Sequence, residues 1–171
     1  MLERAEAWVR CGGCGWRLFQ NVAAAAAVLL VDPEGRLLWV RRGIDPGRGL
    51  LGLPGGFIDA GESGEAAAAR ELHEETGVRL AADTLRFLMS VPNRYPFDGL
   101  IYPTLDLYFT AALPADVSAA VPADPEVTGL VWRSPASLRR EELAFEAGWV
   151  ALQAYRDAAE AGVNLSRPGS D

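Results

Sequence analysis

One stretch constrains this chain more than any other: Gly56 to Val78, which reads GFIDAGESGEAAAARELHEETGV. From about Ser63 its residues suit a helix, and Arg70, Glu71, Glu74 and Glu75 then follow at helical intervals. At about 100° per residue, Glu71, Glu74 and Glu75 fall within roughly one third of the helix circumference. Like charges so spaced destabilise an isolated helix by a few tenths of a kcal/mol per pair. A hard divalent cation, which prefers oxygen ligands, would compensate them. Ala66, Ala69 and Leu72 form a small-residue stripe away from this acidic face, suited to lie close against a sheet.

An acidic helix face is ordinarily just solvated. The flanks of this one point elsewhere. Pro54-Gly55-Gly56 makes a turn that can bring backbone close to a ligand or metal, and Gly61 and Gly64 bracket Glu62 ahead of the helix. Gly77 stands where a left-handed cap would close the helix.

With these residues in view, the stretch resembles the Nudix box: a glycine, five residues, Glu, seven residues, then Arg-Glu-apolar-x-Glu-Glu-x-Gly-apolar. Its positions fall on Gly56, Glu62, Arg70, Glu71, Leu72, Glu74, Glu75, Gly77 and Val78, without a departure. The resemblance implies a loop-helix-loop that binds Mg²⁺ or Mn²⁺ and hydrolyses a nucleoside diphosphate linked to another group. By position, Glu71 and Glu75 would ligate the metal, Glu74 would be a further ligand or a base for water, and the Gly55 carbonyl would be another ligand. Arg70 would orient the carboxylates through Glu62. The implied fold is α/β, the Nudix α/β/α sandwich, with a mixed sheet between the box helix and a C-terminal helix; the strand pattern alone supports only α/β or α+β. ADP-ribose is the favoured substrate. The alternatives are a NADH or other dinucleotide pyrophosphatase, a clean-up hydrolase of nucleoside triphosphates and, in another class, a sensor that binds a nucleotide sugar without cleaving it.

Half of the 171 residues are apolar, enough for one domain with a real core. We divide the chain into an appendage over 1–20, the main domain over 21–161 and a tail over 162–171. A formal net charge of −7 argues against a nucleic-acid backbone as partner, because that affinity comes largely from Lys and Arg displacing counterions. A small anionic nucleotide fits if the acidic site recruits metal first. No apolar run approaches the roughly 20 residues of a membrane span, and no basic segment leads into a signal-like core, so a cytoplasmic protein is expected.

In the appendage, Cys11-Gly-Gly-Cys14-Gly15 resembles one knuckle of a zinc ribbon. Structural zinc takes four ligands, and the sole histidine, His73, belongs to the box helix. Zinc held by Cys11 and Cys14 within one chain is therefore not expected; two chains would pool four cysteines and so form a homodimer, and a redox-labile or vestigial knuckle is the simpler reading. The order of knuckle, aromatic pair, Asn21 and alanine-valine strand also resembles the NADH pyrophosphatase branch of the family, whose second Cys pair is missing here.

Ala23 to Val31 is expected to be a strand despite its alanines, since Val28 to Val31 run straight into the turn Asp32-Pro33-Glu34-Gly35. Arg36 to Arg42 should return as its hairpin partner, with Leu38 and Val40 on one face. The glycine-rich loop from Gly43 to Gly52 follows, and Arg42 and Arg48 are the candidates to meet phosphate oxygens. Leu85–Val91 and Thr104–Thr110 read as strands flanking a loop, Pro92 to Gly99, in which Tyr95 or Phe97 would stack on a base. That loop resembles in character, without matching, the proline- and aromatic-rich signature of the NADH pyrophosphatase branch. Leu113 to Asp124 reads as a loop and Glu126 to Trp132 as a last strand; the resemblance makes Glu126 a candidate catalytic or metal-binding carboxylate, with a solvated strand end as the alternative. Ser134-Pro135 opens a helical region, Glu141 to Ala161 carries a covering helix, and the tail from Ser166 to Asp171 is expected to be disordered.

Overall fold

A computed structural model describes residues 2–4 (backbone only), 8–19, 21–97, 99–115, 120–163 and 165. The Ser166–Asp171 tail lies outside the described residues, as do 116–119 of the expected loop before the last strand. Strands β1 (Leu2–Arg4), β2 (Trp8–Cys11) and β3 (Arg17–Phe19) form a small antiparallel sheet. The main sheet contains β4 (Ala23–Val31), β5 (Leu37–Arg42), β6 (Leu51–Gly52), β7 (Gly55–Phe57), β8 (Arg86–Phe97), β9 (Leu100–Ala112) and β10 (Val127–Arg133). Its order is β10-β5-β4-β9-β8, with β6 on β5 and β7 on β4. Helix α1 (Gly64–Thr76) covers one face and α2 (Glu146–Glu160) the other.

Alanine propensity loses to burial in β4. This strand is central and covered on both faces: Ala26, Val28 and Leu30 pack with Ala67, Ala68 and Leu72 of α1, while Leu29 and Val31 pack with Ala147, Ala151 and Leu152 of α2. A continuous apolar run is what such a strand requires. β4 and β9 run parallel from Ala23↔Thr104 to Val31↔Ala112, whereas β8, β5 and β7 pair antiparallel with their neighbours, so the sheet is mixed.

Two expectations need correction here. The β4–β5 hairpin closes only at Val31↔Leu37, because β7 occupies the edge of β4 at Ala25–Ala27 and β6 the facing edge of β5 at Val40 and Arg41. Leu38 and Val40 share one face of β5 as expected, and Leu37 and Trp39 are equally buried on the other. The expected loop from Pro92 to Gly99 is the far end of a long hairpin, paired from Arg86↔Thr110 to Phe97↔Leu100, since its rings sit at strand positions and turning is left to Gly99, with φ 73°.

The box helix starts where expected, with the Ser63 hydroxyl accepting from the Ala66 N–H at 3.2 Å. Its buried stripe is Ala67, Ala68, Leu72 and Thr76; Ala66 and Ala69 sit half-buried on its shoulders. Gly77, at φ 73°, closes it by donating its N–H to the His73 carbonyl at 2.8 Å. Gly77→Ala is expected to cost about 1 kcal/mol, because a side chain strains the left-handed cap, and the urea midpoint would report it. The covering helix begins at Glu146 rather than Glu141: residues 140–142 form a 3-10 turn, and Leu143 bridges to Leu51.

Candidate active site

Where β5 leaves β4, a cleft of about 350 Å³ opens between the sheet, the N-terminal end of α2 and the acidic face of α1. Its α1 wall is built by backbone approach. A Cβ added at Gly55 would stand 2.3 Å from the Ala26 carbonyl oxygen, leaving no room for a side chain beside β4, and one at Gly56 would stand 2.6 Å from Glu71 Oε1 and displace that carboxylate. The Gly55 N–H donates to Glu75 Oε2 at 3.0 Å.

Arg70 organises the carboxylates. Its Nε and Nη2 donate to the two oxygens of Glu62 at 2.9 Å each, its Nη1 donates to Glu71 at 2.8 Å and to Glu74 at 3.0 Å, and its Nη2 also donates to the Phe57 carbonyl at 3.0 Å. The planar guanidinium fork makes such convergence possible. Hydrogen bonding from Arg70 lowers the Glu62 carboxyl below the usual carboxylate range, helped by the Asp59 N–H. At Glu71 burial outweighs Arg70 and the carboxyl is raised. At Glu75 burial dominates further, pushing the carboxyl up to about 8 against the Gly55 N–H.

Two further strands and a loop complete the cleft. The segment before β10 docks on the C-terminal end of α1, where the Val121 and Ala123 N–H groups donate to the Thr76 and Glu75 carbonyls at 3.0 and 3.1 Å. This satisfies helix carbonyls that have no partner within the helix and brings Asp124 and Glu126 to the cleft. From β9, Asp106 accepts from Asn93 Nδ2 at 2.8 Å and Thr104 Oγ1 at 2.7 Å beside the buried Tyr108, whose phenol burial pushes upward. Aromatic rings also line the cleft: Tyr95 lies 5.6 Å from both Phe57 and Phe145, and the Arg42 guanidinium sits 5.0 Å over the Phe145 ring.

Gly55, Arg70, Glu71, Glu75, Glu126, Arg42 and Tyr95 thus meet at one cleft. Glu74 is half-exposed and paired to Arg70, and it does not line the cleft. Arg48 is exposed and faces Asp45 at 3.8 Å, away from the cleft. Phe97 is exposed too and reaches the site only through its stack on Tyr95, 6.4 Å between centroids. Sequence reasoning missed Asp106, Asp124, Phe145 and Trp39, which also line the cleft. Strand alternation on β9 was the one available signal for Asp106; the others depend on which loop or strand meets α1. The Trp39 indole N–H is buried and has no partner among the described residues.

The donors suit a hard divalent cation: Glu71 and Glu75 offer carboxylate oxygens, Gly55 a backbone carbonyl, and burial leaves Glu75 short of positive charge. In this arrangement Arg70 holds Glu71 and Glu74, and among the described residues no three acidic, histidine or cysteine side chains converge on one point.

Comparison with known proteins agrees with the geometry. The sequence profile of the NUDIX domain matches residues 21–155. The ADP-ribose pyrophosphatase of Methanocaldococcus jannaschii is 35% identical over 81 residues, 47% of this chain and 47% of that relative, so the match spans about half of its length. Among solved structures, a NUDIX hydrolase from Nitrosomonas europaea has a TM-score of 0.73 at 22% identity, covering 98% of this chain and 90% of that one, a likeness of fold. The NUDIX domain of Shewanella oneidensis NrtR, solved with ADP ribose, has a TM-score of 0.68 at 25% identity over 82% of this chain and 90% of that one. A profile match across most of the chain, on a mixed sheet sandwiched by two helices with the box at its cleft, places this chain in the NUDIX domain family.

Proposed function

We propose that this chain is a divalent-metal-dependent pyrophosphohydrolase of a nucleoside diphosphate derivative, with ADP-ribose as the favoured substrate and magnesium as the metal. The observation that carries the reading is the meeting of Gly55, Arg70, Glu71 and Glu75 in one cleft that Tyr95, Phe145 and Arg42 also line. The relative named for ADP-ribose hydrolysis and the NrtR domain that binds ADP ribose support the substrate.

Each group has its task. Glu71 and Glu75 would hold the metal with the Gly55 carbonyl, and Arg70 fixes the carboxylates without being consumed. When bound, the cation neutralises diphosphate oxygens and makes a coordinated water acidic. Glu74 or Glu126 takes the proton from the attacking water; Arg42 meets a phosphate oxygen, and Tyr95 with Phe145 stacks on the base. Water adds across the P–O–P bridge, and ADP-ribose leaves as AMP and ribose 5-phosphate. Incubating the protein with ADP-ribose and magnesium and looking for AMP tests this: binding without AMP would make it a sensor, and neither would defeat the reading.

Tyr95→Ala should raise KM for ADP-ribose by about tenfold with a smaller change in kcat, since base–aromatic stacking contributes about 1–3 kcal/mol. Equal losses with ribose 5-phosphate derivatives lacking a base would argue against stacking.

Metal and pH should be linked through Glu75. Its folded pKa, about 8, stands above the ordinary 4.5, so in the metal-free chain its contribution to stability is full below about pH 4.5 and is lost as pH rises through about 8. A cation competes with that proton. Magnesium is therefore expected to raise the thermal midpoint more at about pH 8.5 than at about pH 6. An equal rise at both would contradict a ligand role for Glu75.

A further inference from the structure

The small N-terminal sheet takes no part in the cleft, and it carries chemistry of its own. Cys11 and Cys14 flank a closed turn: the Cys11 N–H donates to the Trp16 carbonyl at 2.8 Å, and the Gly15 N–H donates back to the Cys11 carbonyl at 2.8 Å. Gly15, at φ 75°, permits the reversal. Inside this turn the backbone N–H groups of Gly13 and Cys14 point to the Cys11 sulfur, an arrangement that stabilises a thiolate. Both thiols are free and Cys14 is exposed. Among the described residues no third His, Cys, Asp or Glu joins the pair. Two convergent thiols are half of a tetrahedral sulfur site.

The missing half has a matching surface. The β2–β3 register sets Val9 opposite Leu18, and the Cys11 N–H to Trp16 bond continues it, so alternation puts Val9, Cys11, Trp16 and Leu18 on one face. Trp16 and Leu18 are 62% and 53% exposed. A large apolar surface left open around a ligand pair calls for a cover that also brings ligands. A second copy brings both at once: a two-fold axis through the metal sets each apolar face against its equivalent and supplies Cys11 and Cys14 twice.

We infer that Cys11 and Cys14 of two copies of this chain bind one zinc ion in a four-sulfur site, and that the Val9–Trp16–Leu18 face forms the interface around it. On ligation each thiol gives up its proton and the metal takes four thiolates, with no change of oxidation state. The site joins two chains; it does not touch the reaction.

The test uses the full chain, stripped by a chelator and titrated with zinc, followed by sedimentation and metal analysis, with cobalt as a spectroscopic substitute. The apparent mass should double from 18.3 kDa, with saturation at about one ion per two chains and a thiolate-to-cobalt charge-transfer band. Cys14→Ser should remain monomeric and lose the band while keeping the thermal midpoint of the main domain. Leu18→Glu, which retains every thiol, should weaken zinc-dependent dimerisation by at least about tenfold. One zinc per monomer, no zinc uptake, or a dimer that survives both chelation and Cys14→Ser would each overturn the inference.

Discussion

Glu75→Gln is expected to turn over ADP-ribose at least about a hundredfold more slowly than the parent, the scale on which a positioned catalytic group is lost. The substitution is nearly isosteric. The amide oxygen still accepts the Gly55 N–H that Glu75 accepts at 3.0 Å, so β7 keeps its place against α1. What disappears is the charge. Burial makes that charge costly in the metal-free chain, so the variant should be at least as stable as the parent at about pH 8 and above, where the parent carboxylate has ionised. Slow turnover with an unchanged or raised thermal midpoint separates chemistry from damage to the fold. Parent-like turnover would remove Glu75 from the machinery; a fallen midpoint would move its role to structure.

The second large effect is expected at Arg70. Arg70→Lys should cut turnover about ten- to hundredfold, with KM changed far less, because side chains that orient metal ligands typically contribute that much to affinity or activity. The guanidinium serves Glu62, Glu71, Glu74 and the Phe57 carbonyl at once. An ammonium has three donors on one nitrogen and cannot span them. Released from Arg70, Glu71 loses the partner that opposes burial, and the acidic stripe repels itself. Excess magnesium should restore part of the rate, since the damage falls on holding the cation. A variant with native kcat would show that the fork is only structural.

Much of this site was legible before any coordinates. Helical spacing in Gly56–Val78 implied the acidic stripe, Ser63 and Gly77 marked the ends of α1, and the resemblance located Glu71, Glu75 and the Gly55 turn. Local rules reach such features because each depends on residues a few positions apart. The β4–β5 hairpin is shorter than expected for the opposite reason: how far two adjacent strands pair depends on competitors, and β7 and β6 took the edges that face each other beyond Val31↔Leu37. The Pro92–Gly99 segment misled because its prolines and rings suit a loop locally, yet strand pairing with β9 at the sheet edge tolerates them.

By itself, the order of residues determined one helix with its caps, the acidic face it carries, and the glycines that let a strand approach that face, all short-range consequences of spacing and backbone freedom. Only the tertiary structure decided that Asp124 arrives through a loop tied to the last carbonyls of α1, that Phe145 and Tyr95 pack against each other at the cleft, and that Arg48 points away. Those placements arise from contacts between segments tens of residues apart. The burial of two sheet faces at once settles such contacts, and no local pattern encodes it.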